Sequence, residues 1–386
     1  MLKIHRWFIL LGLLFIVFIA LSMDFSAKKE DSDFKKWKDS FVAELEQSGI
    51  SERTIQKFQE QASMVQSVAD LYNVKVNTTT YRISINEETL LKAQVFYKEN
   101  KSWLEEKKKE FNVSPEIVVA MYAINSSFGE QMGDNSALNV FSTLAYNAAS
   151  AEEYKVELIS FLELVDRGYF DTNVMANNDG TFTYLGIKPT LYVLYGVDGN
   201  EDGVVDLFST REDIMITSFD MLKTLGLDTN SWGNEVALPN TMDFQSKQGM
   251  KFLTTLDKWT DMGITSYNDS PLPKDKRSSF LILLEGYSHG VLLYNNFSVM
   301  YKTNSNIQKS LDILALSDKV SEYKKVLSYS EQNVKPVAKK KQIVEEVYDA
   351  ECDCYIIIED PVNGKKKPKK DDLPVSSKYK ELSEVK

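Results

Sequence analysis

The chain has 386 residues, a formal net charge of −11, 43% hydrophobic and 11% aromatic residues. That apolar content suits one large or two medium domains with a packed core and excludes a mostly disordered chain. The acidic balance, with no basic face in the body to offset it, excludes nucleic acid as a partner.

At the N-terminus, Lys3, His5 and Arg6 precede an uncharged apolar run from Trp7 to Met23. Basic residues before such a run hold the N-terminus in the cytoplasm and send the rest across the membrane. The run is short for a spanning helix, which needs about 20 residues. Ala20-Leu21-Ser22 also has the small-x-small spacing of a signal-peptidase site. An uncleaved anchor and a cleaved signal both stay open, and either exports the body. No cysteine follows the run, so a lipoprotein anchor is not indicated. Residues 24–33, charged and small, read as a linker.

From Phe34 the pattern turns helical. Phe34, Trp37, Phe41 and Leu45 recur at spacings of three and four, one apolar stripe. Ser51, after the break at Gly49, starts a short helix, and residues 87–111 read as one long amphipathic helix ending near Asn112. Ser114-Pro115-Glu116 is a helix start, with proline near the first turn and an acid that complements the dipole. The run Ile117 to Ile124 is almost wholly apolar, so this helix is expected to be buried all round. Residues 136–169 read as two helices divided near Ala149-Ser150, and residues 171–206 as loops rich in Asn, Asp, Gly and Thr. Helices resume at Glu212 to Leu225; residues 238–300 suggest small strands, and a last helix is expected at Ile307 to Leu316. After Val334 the chain is lysine-rich with scattered proline. The tail 335–386 is expected to be mobile apart from one isolated strand at Tyr355 to Ile358. Cys352 and Cys354, both in that tail, stand too close for an unstrained mutual disulfide, so the body folds without one. The two histidines, His5 and His289, leave no material for a histidine-based triad or metal site in the body.

Two segments carry chemistry. Asp198-Gly199-Asn200-Glu201-Asp202-Gly203 places oxygen-bearing residues at positions one, three and five and glycine at six, the start of an EF-hand calcium loop. Val204 would give its carbonyl. Ser209 stands where the loop's last glutamate is usual, and Asp213 is the expected closing ligand. The alternative is an acidic surface turn; if bound, Ca2+ would be structural. The second segment is Asn125-Ser126-Ser127-Phe128-Gly129-Glu130 at the end of the buried helix. Glycoside cleavage usually needs a carboxylic acid of raised pKa, and burial is one way to raise it. An Asn amide can hydrogen-bond but cannot exchange a catalytic proton near neutral pH. Glu130 is the nearest following carboxylate, although on a continuing helix it would point to another side, the position of a solvated residue.

At this point the chain resembles a known family. Phe111 to Ala120, then Ile124-Asn125-Ser126-Ser127-Phe128-Gly129, is similar to the "YGVPPEVLVAIWGIETNFG" segment of the MltB-type lytic murein transglycosylase family, with Asn125 where that family has its catalytic glutamate. Ser142 to Tyr146 resembles "LATLAYD", with Asn147 for the Asp and Ala148, Ala149 and Ser150 where paired arginines usually follow. Lys188-Pro189-Thr190-Leu191-Tyr192 through Asp198 resembles "MPSSYxxYAVD", its Gly-Gln-rich lead-in reduced to Tyr184-Leu185-Gly186-Ile187. Trp232 to Pro239, Trp259 with Gly263, and Asn296 to Asn304 continue the likeness, which covers roughly residues 34–318.

The resemblance implies a mainly α (α+β) fold: a lysozyme-like transglycosylase core with a helical α-domain, a small β portion and the calcium loop. A transglycosylase-like domain over 34–334 is expected. Active members of that family cut between N-acetylmuramic acid and N-acetylglucosamine with one glutamate. By matching position, Phe128, Tyr146, Tyr192 and Asn304 would line a saccharide groove; the alternative for each is packing. The expected function is a catalytically inactive peptidoglycan-binding or structural scaffold at the periplasmic face of the bacterial inner membrane, held there through residues 7–23 and working within an envelope assembly. The alternative is a working enzyme that uses Glu130 as a displaced acid.

Overall fold

The computed structural model describes residues 32–73, 80–147, 151–239, 244–267, 271–285 and 289–322, together with the backbone of two short tail strands. The apolar run 7–23, nearly all of the linker, Ala148 to Ser150 and Cys352 lie outside the described residues. Among those described, no helix is long and apolar enough to cross a membrane.

The apolar stripe at the start forms helix α1 (residues 32–47). Its rings build a ladder, Phe34 on Trp37 at 5.4 Å and Trp37 on Phe41 at 5.3 Å. Helices α2 (Glu52–Gln61) and α3 (Gln66–Asn73) and a two-residue strand β1 (Thr80–Tyr81) follow. The long helix expected over 87–111 is instead two, α4 (Glu87–Glu99) and α5 (Lys101–Phe111). Asn100 makes the break. Its amide Nδ2 donates to the Phe96 carbonyl at 2.8 Å, alongside the backbone N–H that takes the same acceptor. A short polar side chain that competes for a helical carbonyl favours such an interruption. Asn112 then ends α5 in the left-handed region at φ 56°.

Helix α6 (Pro115–Ser126) is the centre of the molecule. Every residue from Ile117 to Ala123 is buried, and α13, α4, α5 and α10 pack around it. A helix apolar on all sides needs neighbours on all sides. Strand β2 (Asn135–Ser136) leads into α7 (Ala137–Asn147) and α8 (Ala151–Asp166), an adjacent pair as expected; β2 pairs with β3 (Met175–Ala176). The loop-rich segment that follows contains one unexpected helix, α9 (Pro189–Tyr195), before α10 (Arg211–Thr224).

The β portion is one sheet in the order β1-β7-β8-β4-β6, built from β4 (Gly233–Ala237), β6 (Thr265–Ser266), β7 (Ser278–Leu284) and β8 (His289–Leu293), with β5 (Thr254–Thr255) beside β7. Side chains alternate faces along a strand. Phe280, Ile282 and Leu284 of β7 therefore join the main helical core. Leu281 and Leu283, between them, join a smaller core around Trp259 of α11 (Leu256–Asp261). A sheet covered on both faces reads as a continuous apolar run rather than an alternation. Helices α12 (Asn295–Asn304) and α13 (Ile307–Val320) close the body; α12 falls where strands were expected. In the tail, the expected isolated strand is half of an antiparallel hairpin, β9 (Glu345–Asp349) with β10 (Cys354–Ile358). The mainly α, α+β class read from the sequence is the observed one.

Candidate functional site

Helix α6 ends in three successive left-handed residues, Ser127, Phe128 and Gly129, with φ of 49°, 60° and 85°. A bulky residue in that region is an outlier that the surroundings must hold. Phe128 is held by stacking on Phe96 at 4.7 Å and by an edge contact with Tyr122 at 5.2 Å. Ser126 Oγ donates to the Tyr122 carbonyl and accepts from the Gly129 N–H at 3.1 Å, which fixes the turn. The expected saccharide-facing ring of Phe128 is thus half-buried among its own aromatics.

Asn125 lies just inside this turn and is 9% exposed. Its Nδ2 donates to Met121 O at 2.9 Å, one helical turn back, and to Leu185 O at 2.8 Å. Leu185 belongs to a tight turn whose ends are tied by paired bonds between Phe182 and Ile187, at 2.9 and 3.0 Å. Gly186, at φ 60°, carries that turn onto Asn125: a Cβ there would stand 2.1 Å from Asn125 Oδ1 and 2.3 Å from Cγ. The Oδ1 atom itself is buried without a hydrogen-bond partner. An unpaired buried carbonyl costs about 1–3 kcal/mol. Position 125, where the family resemblance puts an acid, therefore carries a neutral amide covered by backbone.

Two carboxylates, Glu130 and Glu157, sit in sharply different surroundings. Glu130 is exposed and pairs with Lys92 at 2.9 Å, which also meets Glu88 at 3.2 Å. The hydrogen bond to Glu130 is the main cause that holds the Lys92 ammonium above its usual range. Such a surface pair is worth at most about 1 kcal/mol. Glu157, one acid in the apolar run of α8, is 8% exposed and accepts from Thr190 N at 3.0 Å and Thr190 Oγ1 at 2.9 Å. Burial pushes its carboxyl up, against the pull of Lys188 and of both Thr190 donors. It fixes the first turn of α9 and borders a cavity of about 580 Å³ between α8, α9 and α12, where Glu153, Lys188, Tyr195 and Lys302 stand. Sequence reasoning missed both Glu157 and this cavity. The available signal was a lone glutamate inside Val156-Glu157-Leu158-Ile159.

The other expected groove residues are placed as follows. Tyr192 is a core residue, 1% exposed, its hydroxyl donating to Val205 O at 2.9 Å and its ring among Tyr169, Phe170 and Phe182. Burial first, then the charge of Asp206, pushes that phenol well above its usual range. Asn304 is 2% exposed and turned inward, where its Oδ1 accepts from Asn306 N at 2.8 Å and Ser310 Oγ at 3.2 Å. Of the two readings for each, groove lining or packing, the burial of both residues matches packing: an aromatic core and a helix-end bond network hold them inside. Tyr146 is half-buried and covered by α1 through Phe34 and Trp37, at 5.3 and 5.6 Å.

The 198–213 segment is curled as its pattern suggests. Asp198 accepts from Asp202 N at 3.1 Å and Gly203 N at 2.7 Å, and Gly203 sits at φ 88°. Asn200 and Asp202 face each other at 3.0 Å. Asp213, fully buried, accepts from Gly199 N at 2.9 Å and Asp206 N at 2.6 Å, so it clasps the loop by its backbone. The oxygen donor set fits a hard cation in type. Among the described residues no three His, Cys, Asp or Glu side chains are grouped to hold a metal ion.

Comparison with known proteins completes the picture. A family model described as the transglycosylase SLT domain matches residues 33–318. Membrane-bound lytic murein transglycosylase B of Escherichia coli is 25% identical over 182 residues, 43% of this chain and 50% of that relative, so the match spans half of its length. SltB3 of Pseudomonas aeruginosa, in complex with NAG-anhNAM-pentapeptide, superposes with a TM-score of 0.60 at 22% identity, over 74% of this chain and 79% of that one. The lytic transglycosylase Slt35 of Escherichia coli, in complex with calcium, gives a TM-score of 0.59 at 20% identity, over 76% of this chain and 93% of that one.

Proposed function

We propose that this chain, which belongs to the transglycosylase SLT domain family, keeps that family's fold and a contact with peptidoglycan but not the chemistry of glycan cleavage. The observation that carries the reading is Asn125. An amide stands where the resemblance has the catalytic acid, and its Nδ2 is spent on Met121 O and Leu185 O. General acid–base catalysis contributes about 10²–10⁴-fold by itself, and its loss cannot be offset by binding. The turn at Gly186 covers the amide, and the exposed Glu130 is paired with Lys92.

Glycan contact is assigned to the cavity between α8, α9 and α12, whose mixed acids, lysines and Tyr195 offer donors and acceptors to sugar hydroxyls. The complex of SltB3 with a muropeptide supports this substrate class. The chain acts as a binding scaffold at the periplasmic face of the inner membrane, with residues 7–23 as its attachment and an envelope assembly as its setting. The Escherichia coli relative is itself named as membrane-bound. We further infer a structural Ca2+ at the 198–213 loop. Asp198, Asn200, Asp202 and the Val204 carbonyl would supply its oxygens and Asp213 would hold the loop in place; the Slt35 complex with calcium supports it. When bound, the ion supplies charge compensation for the acidic loop.

The test is incubation of the full chain with purified sacculi. Binding to the pellet without released anhydro-muropeptides is expected. Release that vanishes in Glu130→Gln would overturn the reading in favour of a displaced acid. Failure to bind would leave only a protein scaffold.

A further inference from the structure

An apolar turn stands open at the edge of the sheet. Leu253, 61% exposed, is the most exposed large apolar side chain among the described residues, and Met250 beside it is 40% exposed. The turn leaves β7 where Gly249 N donates to Leu281 O at 2.8 Å, and it returns at β5, where Thr254 pairs with Ser279. Phe252 N closes it on Gly249 O at 3.0 Å. The Phe252 ring packs on Trp259 at 5.3 Å, with Lys247 over its other side at 5.7 Å from the centroid. Phe252 therefore holds the turn from below, and Met250 and Leu253 are presented with little left to order on binding.

Cations surround this turn in a chain whose net charge is −11. Among the described residues from 244 to 277, Lys247, Lys251, Lys258, Lys274, Lys276 and Arg277 outnumber Asp257, Asp261 and Asp275. All of those cations except Lys247 are exposed. The fold brings the two stretches together: Leu256 N donates to Arg277 O at 3.3 Å, and Leu253 and Arg277 border one depression. Arg277 is matched by Asp275 at 2.6 Å, whereas Lys251, Lys274 and Lys276 make no ion pair among the described residues. A stable protein partner would need about 800 Å² of matched surface, and such interfaces are depleted in lysine. A lipid surface needs no matched pocket. It takes apolar tips into its headgroup layer and holds lysines by their charge, each favouring the bound state by about fivefold when the lipid is anionic.

We propose that the 250–253 turn and the lysines around it form a docking face for an anionic lipid surface. Met250 and Leu253 enter the headgroup layer, and Lys251, Lys274 and Lys276 meet lipid phosphates. The inference stands on this face and not on the attachment through residues 7–23. The test is amide hydrogen exchange over residues 248–255, read by mass spectrometry on the full chain. The chain is held with vesicles of phosphatidylcholine alone or of equal parts phosphatidylcholine and phosphatidylglycerol. Exchange at 250–253 is expected to slow on the anionic vesicles only. Leu253→Ser, and separately Lys251→Gln with Lys274→Gln and Lys276→Gln, should lose that protection at unchanged melting temperatures, and added salt should reverse it. Chain held by both kinds of vesicle with the turn equally open would overturn this inference and leave the attachment standing. Chain held by anionic vesicles alone, and released by the lysine changes, would support it and sink the attachment. Chain free of both would overturn both. Protection that is equal on the two compositions and survives the lysine changes would overturn it, because lipid charge would play no part. Protection that rises with chain concentration in the absence of lipid would overturn it in favour of a second copy of the chain.

Discussion

The closeness of Gly186 to Asn125 makes a quantitative prediction. In Gly186→Ala the new Cβ would stand 2.1 Å from Asn125 Oδ1, 2.3 Å from Cγ and 2.9 Å from Cβ. The φ of 60° adds the left-handed penalty, about 1–2 kcal/mol for a residue with a Cβ. Overpacking a close contact costs about 1–3 kcal/mol. Together the variant is expected to lose about 2–4 kcal/mol, a melting shift of roughly 3–8 °C for a domain of this size. Asn125→Ala removes the two nearest atoms and loses the bonds to Met121 O and Leu185 O, at about 1–3 kcal/mol. In the double variant only the Cβ contact and the φ penalty persist, so the two changes should couple by about 1–2 kcal/mol in favour of the pair. Denaturant unfolding of the four proteins measures this. Additive effects, with Gly186→Ala losing only the φ penalty, would mean that the turn does not rest on Asn125.

Three further outcomes follow from the same contacts. Asn125→Glu should not restore cleavage and should destabilise by about 2–3 kcal/mol, because carboxylate oxygens would face the Met121 and Leu185 carbonyls where an amide donor now sits; muropeptide release by this variant would refute the closure. Burial raises the folded Glu157 carboxyl above its unfolded value, so its contribution to stability falls as pH rises from the unfolded value, about 4.3, through the folded one. Wild type should therefore lose stability relative to Glu157→Gln over that interval, and a difference flat with pH would contradict the raised carboxyl. Calcium at about 100 times its dissociation constant should stabilise by about 2.7 kcal/mol, with chelator reversing it and Asp198→Ala abolishing it; melting curves indifferent to chelator would count against the ion.

Much of the fold could be read in advance because the signals were local. The Ser114-Pro115 start, the apolar run from Ile117 to Ile124 in α6 and the helix end near Asn112 depend on neighbours in sequence. The α1 stripe did too, through its three-and-four spacing. The errors arose where distant parts decide. Asn100 breaks a helix whose charge pattern runs on unbroken. Helix α12 forms in an Asn-rich stretch directly after a strand; its Phe297 packs against Phe280 of β7 at 5.7 Å, a tertiary contact that local pattern does not carry. At the site, the amide at position 125 was visible in one letter, but the cover over it was not. That cover depends on a turn about 60 residues downstream whose carbonyl finds Asn125 only in the folded chain. Tyr192 and Asn304 illustrate the converse: a matching position identified the residues, and burial decided what they do.

The proposed loss of chemistry at Asn125 is tested most directly by chromatography of the soluble fraction after the full chain has been held with sacculi. Chain in the pellet and no anhydro-muropeptides above a blank are expected, in wild type and Asn125→Glu alike. Anhydro-muropeptides from wild type that disappear in Glu130→Gln or Glu157→Gln would contradict it.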